Sequence, residues 1–167
     1  MTTKVAGLSI VSCNDINAHK TLAPRVQGVR EFWPDENMDV NPGVWYVSQF
    51  CNPLNLIFDI EDGRGMIAFL YTVPSYRSQV FVAKWDETCE IDVETWRSAA
   101  QIAVMTHDLI CIDAFIGRDN VAAQKLAERA GMRRRGIVRG QVHYKGEPVD
   151  TYWYEIDRAE LGIEGKE

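Results

Sequence analysis

Apolar and polar positions alternate with a period of two over some stretches of the chain and recur near every 3.6 residues over others. The order of those stretches predicts the architecture. Val5–Ser12 reads as a first strand. Asn14 is placed to cap a helix in which Leu22, Val26 and Val29 share one face, and Pro24, having no N–H to donate, is expected to break or restart it. Trp33–Asn41 (WPDENMDVN) is polar and proline-bearing and reads as an ordered loop. Strands are then expected at Val44–Phe50, Leu56–Glu61, Met66–Val73 and Gln79–Trp85, with Asp62-Gly63-Arg64-Gly65 as a hairpin turn between the second and third of these.

The chemistry then changes abruptly. Asp86, Glu87, Glu90, Asp92 and Glu94 place five carboxylates within nine residues. A helix over Val93–His107 follows, with Asp92 as its cap and Trp96, Ala99, Ala100 and Ala103 turned inward. From Ile110 to Met132 the chain reads as strand, turn, helix and stop. Ile112, Ala114 and Ile116 alternate with Asp113 and Phe115, Asp119 or Asn120 caps, Ala122, Ala123, Leu126 and Ala130 recur at helical spacing, and Gly131 suits a left-handed C-cap. Strands at Gly136–Tyr144 and Thr151–Ile156, joined by Lys145-Gly146-Glu147-Pro148, precede a polar tail from Arg158. This order implies an α/β (α+β) fold, a mixed and mostly antiparallel sheet with helices on its faces and a strand–helix–strand unit at its centre.

Composition narrows the function classes. The 167 residues suit one domain, 1–167, with 34–46 as a substrate-side loop and 158–167 as a tail. A net charge of -6 disfavours a general nucleic-acid binder, although Arg133, Arg134, Arg135 and Arg139 form a local basic run. Cys13, Cys51, Cys89 and Cys111 form no CxxC pair and read as reduced thiols, while His19, His107 and His143 form no metal-ligand spacing, so no metal is expected. No apolar run approaches the roughly 20 residues of a membrane span. A cytoplasmic protein that does not enter a membrane is the expectation.

Asn120, Ala123, Leu126, Glu128, Gly131 and Met132 match the spacing N-x-x-[AS]-x-x-[LV]-x-[EK]-x-x-G-[FM]. That pattern resembles the fifth strand and fourth helix of the GCN5-related N-acetyltransferase (GNAT) superfamily. Gly136-Ile137-Val138-Arg139, Gly146-Glu147-Pro148-Val149-Asp150, Tyr154-Glu155-Ile156 and Glu160 resemble its last two strands, and Ile60-Glu61-Asp62 with Ile67-Ala68-Phe69 is similar to its second hairpin. The branch most resembled is that of the ribosomal-protein N-terminal acetyltransferases.

The resemblance implies acetyl-CoA as cofactor and an amine-bearing protein or small molecule as acceptor. It implies that Phe81, Val82 and Ala83 offer a strand edge to the cofactor, that Asn120 and Lys125 lie on the cofactor side, and that Asp86 or Glu87, at the end of the fourth strand, acts as general base. Two parts depart from the family pattern. The loop that should read [QR]-x-x-G-x-[GA] is Asp86–Glu94, glycine-free and acidic, so some of its acids must point away for CoA to bind in the usual manner. Ala127 stands where many members carry a tyrosine. Two function classes follow: an acyl-CoA-dependent N-acyltransferase, or a non-catalytic GNAT-fold binding or assembly protein, of the kind found among small tailed-phage proteins. The sequence leaves the oligomeric state open, a homodimer included.

Overall fold

A computed structural model describes residues 7–28, 42–60, 63–144 and 147–165. The strands are β1 (Leu8–Val11), β2 (Leu56–Ile60), β3 (Gly65–Val73), β4 (Arg77–Lys84), β5 (Cys111–Gly117), β6 (Arg133–Tyr144) and β7 (Glu147–Asp157). The helices are α1 (Ile16–Gly28), α2 (Pro42–Phe50), α3 (Val93–His107) and α4 (Val121–Ala130). Among the described residues the strands form one sheet in the order β1-β2-β3-β4-β5-β7-β6. Every neighbouring pair is antiparallel except β4 and β5, which run parallel because α3 returns the chain between them.

Each face of the sheet carries its own core. On one, α3 and α4 pack Trp96, Ala99, Ala100, Ala103, Ala127 and Ala130 against Phe58, Ile67, Phe69, Ile112 and Tyr154. The alanines let the helix backbone approach the sheet, and Trp96 fills the volume they leave. On the other face, α1 and α2 bring Leu22, Val26, Tyr46 and Phe50 onto Ile57, Met66, Ala68, Leu70 and Ala83. Together these two apolar layers bury the period-two and period-3.6 positions that define the elements.

Several expectations are corrected. Residues 44–50 form a helix, not a strand, and residues 42–46 of the expected substrate-side loop belong to it. Tyr46 and Phe50 are four apart, so either period brings both to one side. A strand would also have turned Val44 inward, yet it is 65% exposed, and Pro42 opens the helix where a missing N–H costs nothing. The rings of Tyr46 and Phe50 stack at 4.9 Å. Pro24 neither breaks nor restarts α1; it lies inside the helix on an exposed turn, where water can take the carbonyl that its absent N–H leaves. Asp15, not Asn14, caps α1, accepting from the Ala18 N–H at 3.0 Å. In α4 Ala130 is buried as expected and Ala127 with it, whereas Ala122 is exposed.

The polar tail is docked rather than loose. Leu161 is buried, Arg97 donates to the Glu160 carbonyl at 2.8 Å and Gln101 to that of Leu161 at 2.8 Å. Glu147 and Pro148 belong to β7, and β6 begins at Arg133. Val5, Val29, the loop at Trp33–Asn41, Glu61–Asp62 and Lys145–Gly146 lie outside the described residues.

Candidate active site

The site begins with a fork. β4 and β5 pair over three rungs only, Arg77 with Cys111, Ser78 with Ile112 and Gln79 with Asp113. Beyond Gln79, β4 stays with β3 through Lys84, while β5 stays with β7 through Gly117. The sheet therefore splits between Val80–Lys84 and Ala114–Gly117.

The antiparallel alternation shows which backbone groups line the split. The Trp85 N–H donates to the Arg64 carbonyl at 3.2 Å, so Trp85 turns its polar backbone toward β3. Alternate residues then do the same, which leaves Val80, Val82 and Lys84 to direct N–H and C=O into the fork. Of the expected edge residues Phe81, Val82 and Ala83, only Val82 presents its backbone there. Phe81 and Ala83 contribute side chains to the core under α1 and α2.

At the tip of β4, Asp86 accepts from the Thr88 N–H at 2.8 Å and the Thr88 hydroxyl at 2.6 Å. Those two bonds, with the Arg64 guanidinium nearby, hold its carboxyl below the usual carboxylate range. Arg64 also donates to the Thr88 hydroxyl at 3.0 Å, and Lys84 donates to the Cys89 carbonyl at 3.0 Å. Cys89 is buried against Gly65, where a Cβ would lie 3.0 Å from the Ala83 carbonyl and 3.1 Å from the Cys89 sulfur. Gly65 of the neighbouring strand thus leaves the room into which Cys89 packs.

The acids of the loop divide into two kinds. Asp92 caps α3, its carboxylate accepting from the Thr95 N–H at 2.7 Å. The positive end of the helix therefore already faces a carboxylate of its own chain. Glu87, Glu90 and Glu94 are exposed and have no cationic partner among the described residues.

Across the fork, the Asn120 side-chain oxygen accepts from the Ala123 N–H at 3.1 Å and caps α4, while its amide donor bonds no described residue. Gln124 donates to the Gly117 carbonyl at 3.1 Å and the Arg118 carbonyl at 2.9 Å, fixing the turn. Lys125 is exposed on the same helix. Ala127 is buried in the core and offers no proton donor. Glu128 accepts from the Tyr154 hydroxyl at 3.0 Å, and Gly131 ends the helix at φ 97.

Two polar clusters escaped the reading of the sequence. Asp113, 1% exposed, accepts from Arg77 at 2.9 Å and from the Trp153 indole N–H at 2.9 Å. Its sequence signal was a carboxylate inside an otherwise apolar strand. The ligating atoms of Cys111, Asp113 and Glu155 lie within 4.8 Å of one another, as in a metal site. They are already committed, however: Arg77 and Trp153 hold Asp113, Arg135 holds Glu155 at 2.8 Å, and burial with Asp113 nearby pushes the Cys111 thiol up. In the second cluster, the His19 Nε2–H donates to the Ser12 carbonyl at 3.0 Å, so Nδ1 accepts the Tyr46 hydroxyl at 2.8 Å. It ties α1 to α2.

No protein-family model matches the chain, and no curated protein matches it. Solved structures do. A GNAT-family acetyltransferase from Bacillus anthracis is similar at 16% identity and a TM-score of 0.64, over 94% of this chain and 98% of that one. The ribosomal-protein-S5-alanine acetyltransferase from Vibrio fischeri is similar at 11% identity and a TM-score of 0.67, over 94% and 96%. The spermidine N-acetyltransferase from Vibrio cholerae, in complex with CoA and spermine, is similar at 10% identity and a TM-score of 0.71, over 94% and 99%. At such identities the likeness carries the fold: the chain folds as the GNAT acetyltransferases do. No described helix is long and apolar enough to cross a membrane.

Proposed function

We propose that this chain is an acyl-CoA-dependent N-acyltransferase that acylates a primary amine. The observation that supports this most directly is the fork, because it leaves a strand edge of Val80, Val82 and Lys84 with N–H and C=O groups turned into a cleft. A peptide-like arm fits such an edge by adding as a partial strand, and backbone donors recognise it without any particular side chain. The pantetheine arm of CoA, with its two amides, has that chemistry. Bound there, an acyl-CoA supplies a thioester whose acyl carbon the amine can attack.

The chain's own groups then take these parts. The Val82 N–H polarises the acyl oxygen as negative charge gathers on it. The Asn120 amide donor and the Lys125 ammonium serve the cofactor from α4. Glu87 removes a proton from the attacking ammonium; Asp86 fits this part less well, since its carboxylate is bonded twice to Thr88 and held in its weakly basic form. The bond from nitrogen to the acyl carbon forms, the carbon–sulfur bond breaks, the nitrogen sheds its second proton to solvent, and the thiolate takes one from solvent because Ala127 supplies none. The donor set fits the arm better than the diphosphate, whose usual seat at the α3 terminus is shared with Asp92. The net charge of -6 suits a cationic acceptor.

Calorimetric titration with acetyl-CoA tests this reading. Binding that saturates below millimolar cofactor is expected, with Glu87→Gln lowering turnover far more than it changes affinity. Absence of binding at millimolar acetyl-CoA overturns it and leaves a GNAT-fold binding or assembly protein as the better account.

A further inference from the structure

The fork must start somewhere, and the side chains at its root show why it starts at Gln79. Asp113 is the β5 residue of the last rung. Its carboxylate is bonded from both sides, by Arg77 of β4 and by Trp153 of β7, each at 2.9 Å. Arg77 is itself held, its guanidinium 4.6 Å over the Tyr76 ring and donating to the Tyr76 hydroxyl at 3.2 Å. On the opposite face of β4, Ser78 clasps the strand to β3. The Ser78 hydroxyl donates to the Leu70 carbonyl at 3.0 Å and lies 2.9 Å from the Thr72 hydroxyl, beside the β3 bulge that gives Tyr71 a φ of 52.

A buried carboxylate in mid-sheet is costly, and well-packed apolar side chains commonly stabilise such a position as well or better. What an apolar trio would not supply is a directional link. Hydrogen bonds fix the distance and angle at which β4 stands relative to β5 and β7, whereas apolar contact tolerates sliding. The link sits at the vertex, where a small change in angle is magnified along Val80–Lys84.

We infer that the Arg77–Asp113–Trp153 bridge is the pin of the fork, and that Asp113 is a positioning residue that sets the opening into which the cofactor arm fits. This rests on the transferase reading for its consequence, though not for its geometry. Amide hydrogen exchange and acetyl-CoA affinity, measured on the full chain with Asp113→Asn and Trp153→Phe, test it. Asp113→Asn keeps the shape of the side chain and removes the charge, while Trp153→Phe removes the indole donor and keeps an aromatic, though smaller, ring.

The expected result is exchange at least tenfold faster at Arg77–Gln79 and Cys111–Asp113, unchanged protection in α3 at Trp96–Ala103, and acetyl-CoA binding weakened about tenfold. Arg77→Lys should lose less affinity than Arg77→Met, because the cation is kept. Unchanged exchange at the rungs, or a uniform loss of protection across the fold, overturns the proposal. If Asp113→Asn does not fold, Trp153→Phe decides alone. Should the wild-type protein bind no acetyl-CoA, the transferase reading fails while the exchange measurement still decides the pin.

Discussion

Replacing Asp92 with serine separates two jobs that one carboxylate now does at the start of α3. As cap, Asp92 accepts the Thr95 N–H at 2.7 Å; as charge, it occupies the positive end of the helix. Serine caps about as well as aspartate, so Asp92→Ser should cost only the charge–dipole attraction, about 0.3–1 kcal/mol. Asp92→Ala removes the cap too and should cost about 1 kcal/mol more.

The effect on cofactor has the opposite sign. Two unit charges about 5 Å apart at an effective dielectric of about 20 interact by roughly 3 kcal/mol. Screening over a Debye length of about 10 Å at 0.1 M salt reduces this. Solvent-exposed pairs are in practice worth roughly 0.2–1 kcal/mol, and Asp92 is exposed. Relief of about 1 kcal/mol, or about fivefold tighter acetyl-CoA binding, is therefore the expected gain. Calorimetry at low and high salt, with thermal melts of the same samples, reads both quantities. An affinity that stays level or weakens at low salt, or a gain that survives high salt, would show that the cofactor phosphates do not lie at this terminus.

Gly131→Ala should destabilise the fold by about 1–2 kcal/mol, or about 3–6 °C in a thermal melt. Gly131 has a φ of 97 and a new Cβ would stand 3.3 Å from the Arg97 guanidinium that bonds Ala130 and Glu160. Tyr46→Phe should cost about 1–3 kcal/mol by leaving the His19 Nδ1 without its donor. The same variant should alter the alkaline limb of stability. Burial, and then Cys51, raise the ionisation of Tyr46 well above the usual phenol range. Above roughly pH 10 the unfolded chain therefore releases a proton that the native state keeps, and stability falls as pH rises. Urea titrations between pH 8 and 11 should show that fall diminished in the variant, by up to about 1.4 kcal/mol per pH unit; an undiminished slope refutes the assignment.

What could be read from the chain depended on whether the signal was local. α3 occupies Val93–His107 as expected, because its cap, its alanine stripe and its Trp96 all lie within one segment. α4 likewise follows from Asn120 and Gly131, whose capping roles require only residues three or four positions away. Residues 44–50 misled because β-branched and aromatic side chains favour a strand locally, while the partners that reward a helix lie on β2 and β3. Asp113 stood out only as a polar position alternating with the apolar ones of a largely buried strand. Its burial is created by Arg77, 36 residues away, and Trp153, 40 residues away, and no local pattern encodes that meeting. The acidic loop was visible as composition and Asp92 as a cap, but the two bonds that commit Asp86 to Thr88 were not.

The fork and the helix terminus are separable halves of one cleft, and they respond differently to sequence change. On the proposed reading the fork binds through backbone groups of Val80, Val82 and Lys84, so almost any side chain that keeps the strand preserves it. A helix N-terminus attracts anions through its free N–H groups, so the capping carboxylate of Asp92 would compete with a phosphate there directly. A loop can thus lose its glycines and gain acids while the sheet, the parting of β4 from β5 and the α4 cap persist intact. For a ligand with a peptide-like arm and a diphosphate, this shifts the balance of recognition toward the arm and toward Lys125, one of the exposed cations of α4. The acids are therefore expected to lower affinity for the diphosphate without closing the edge on which the proposed acyl transfer depends.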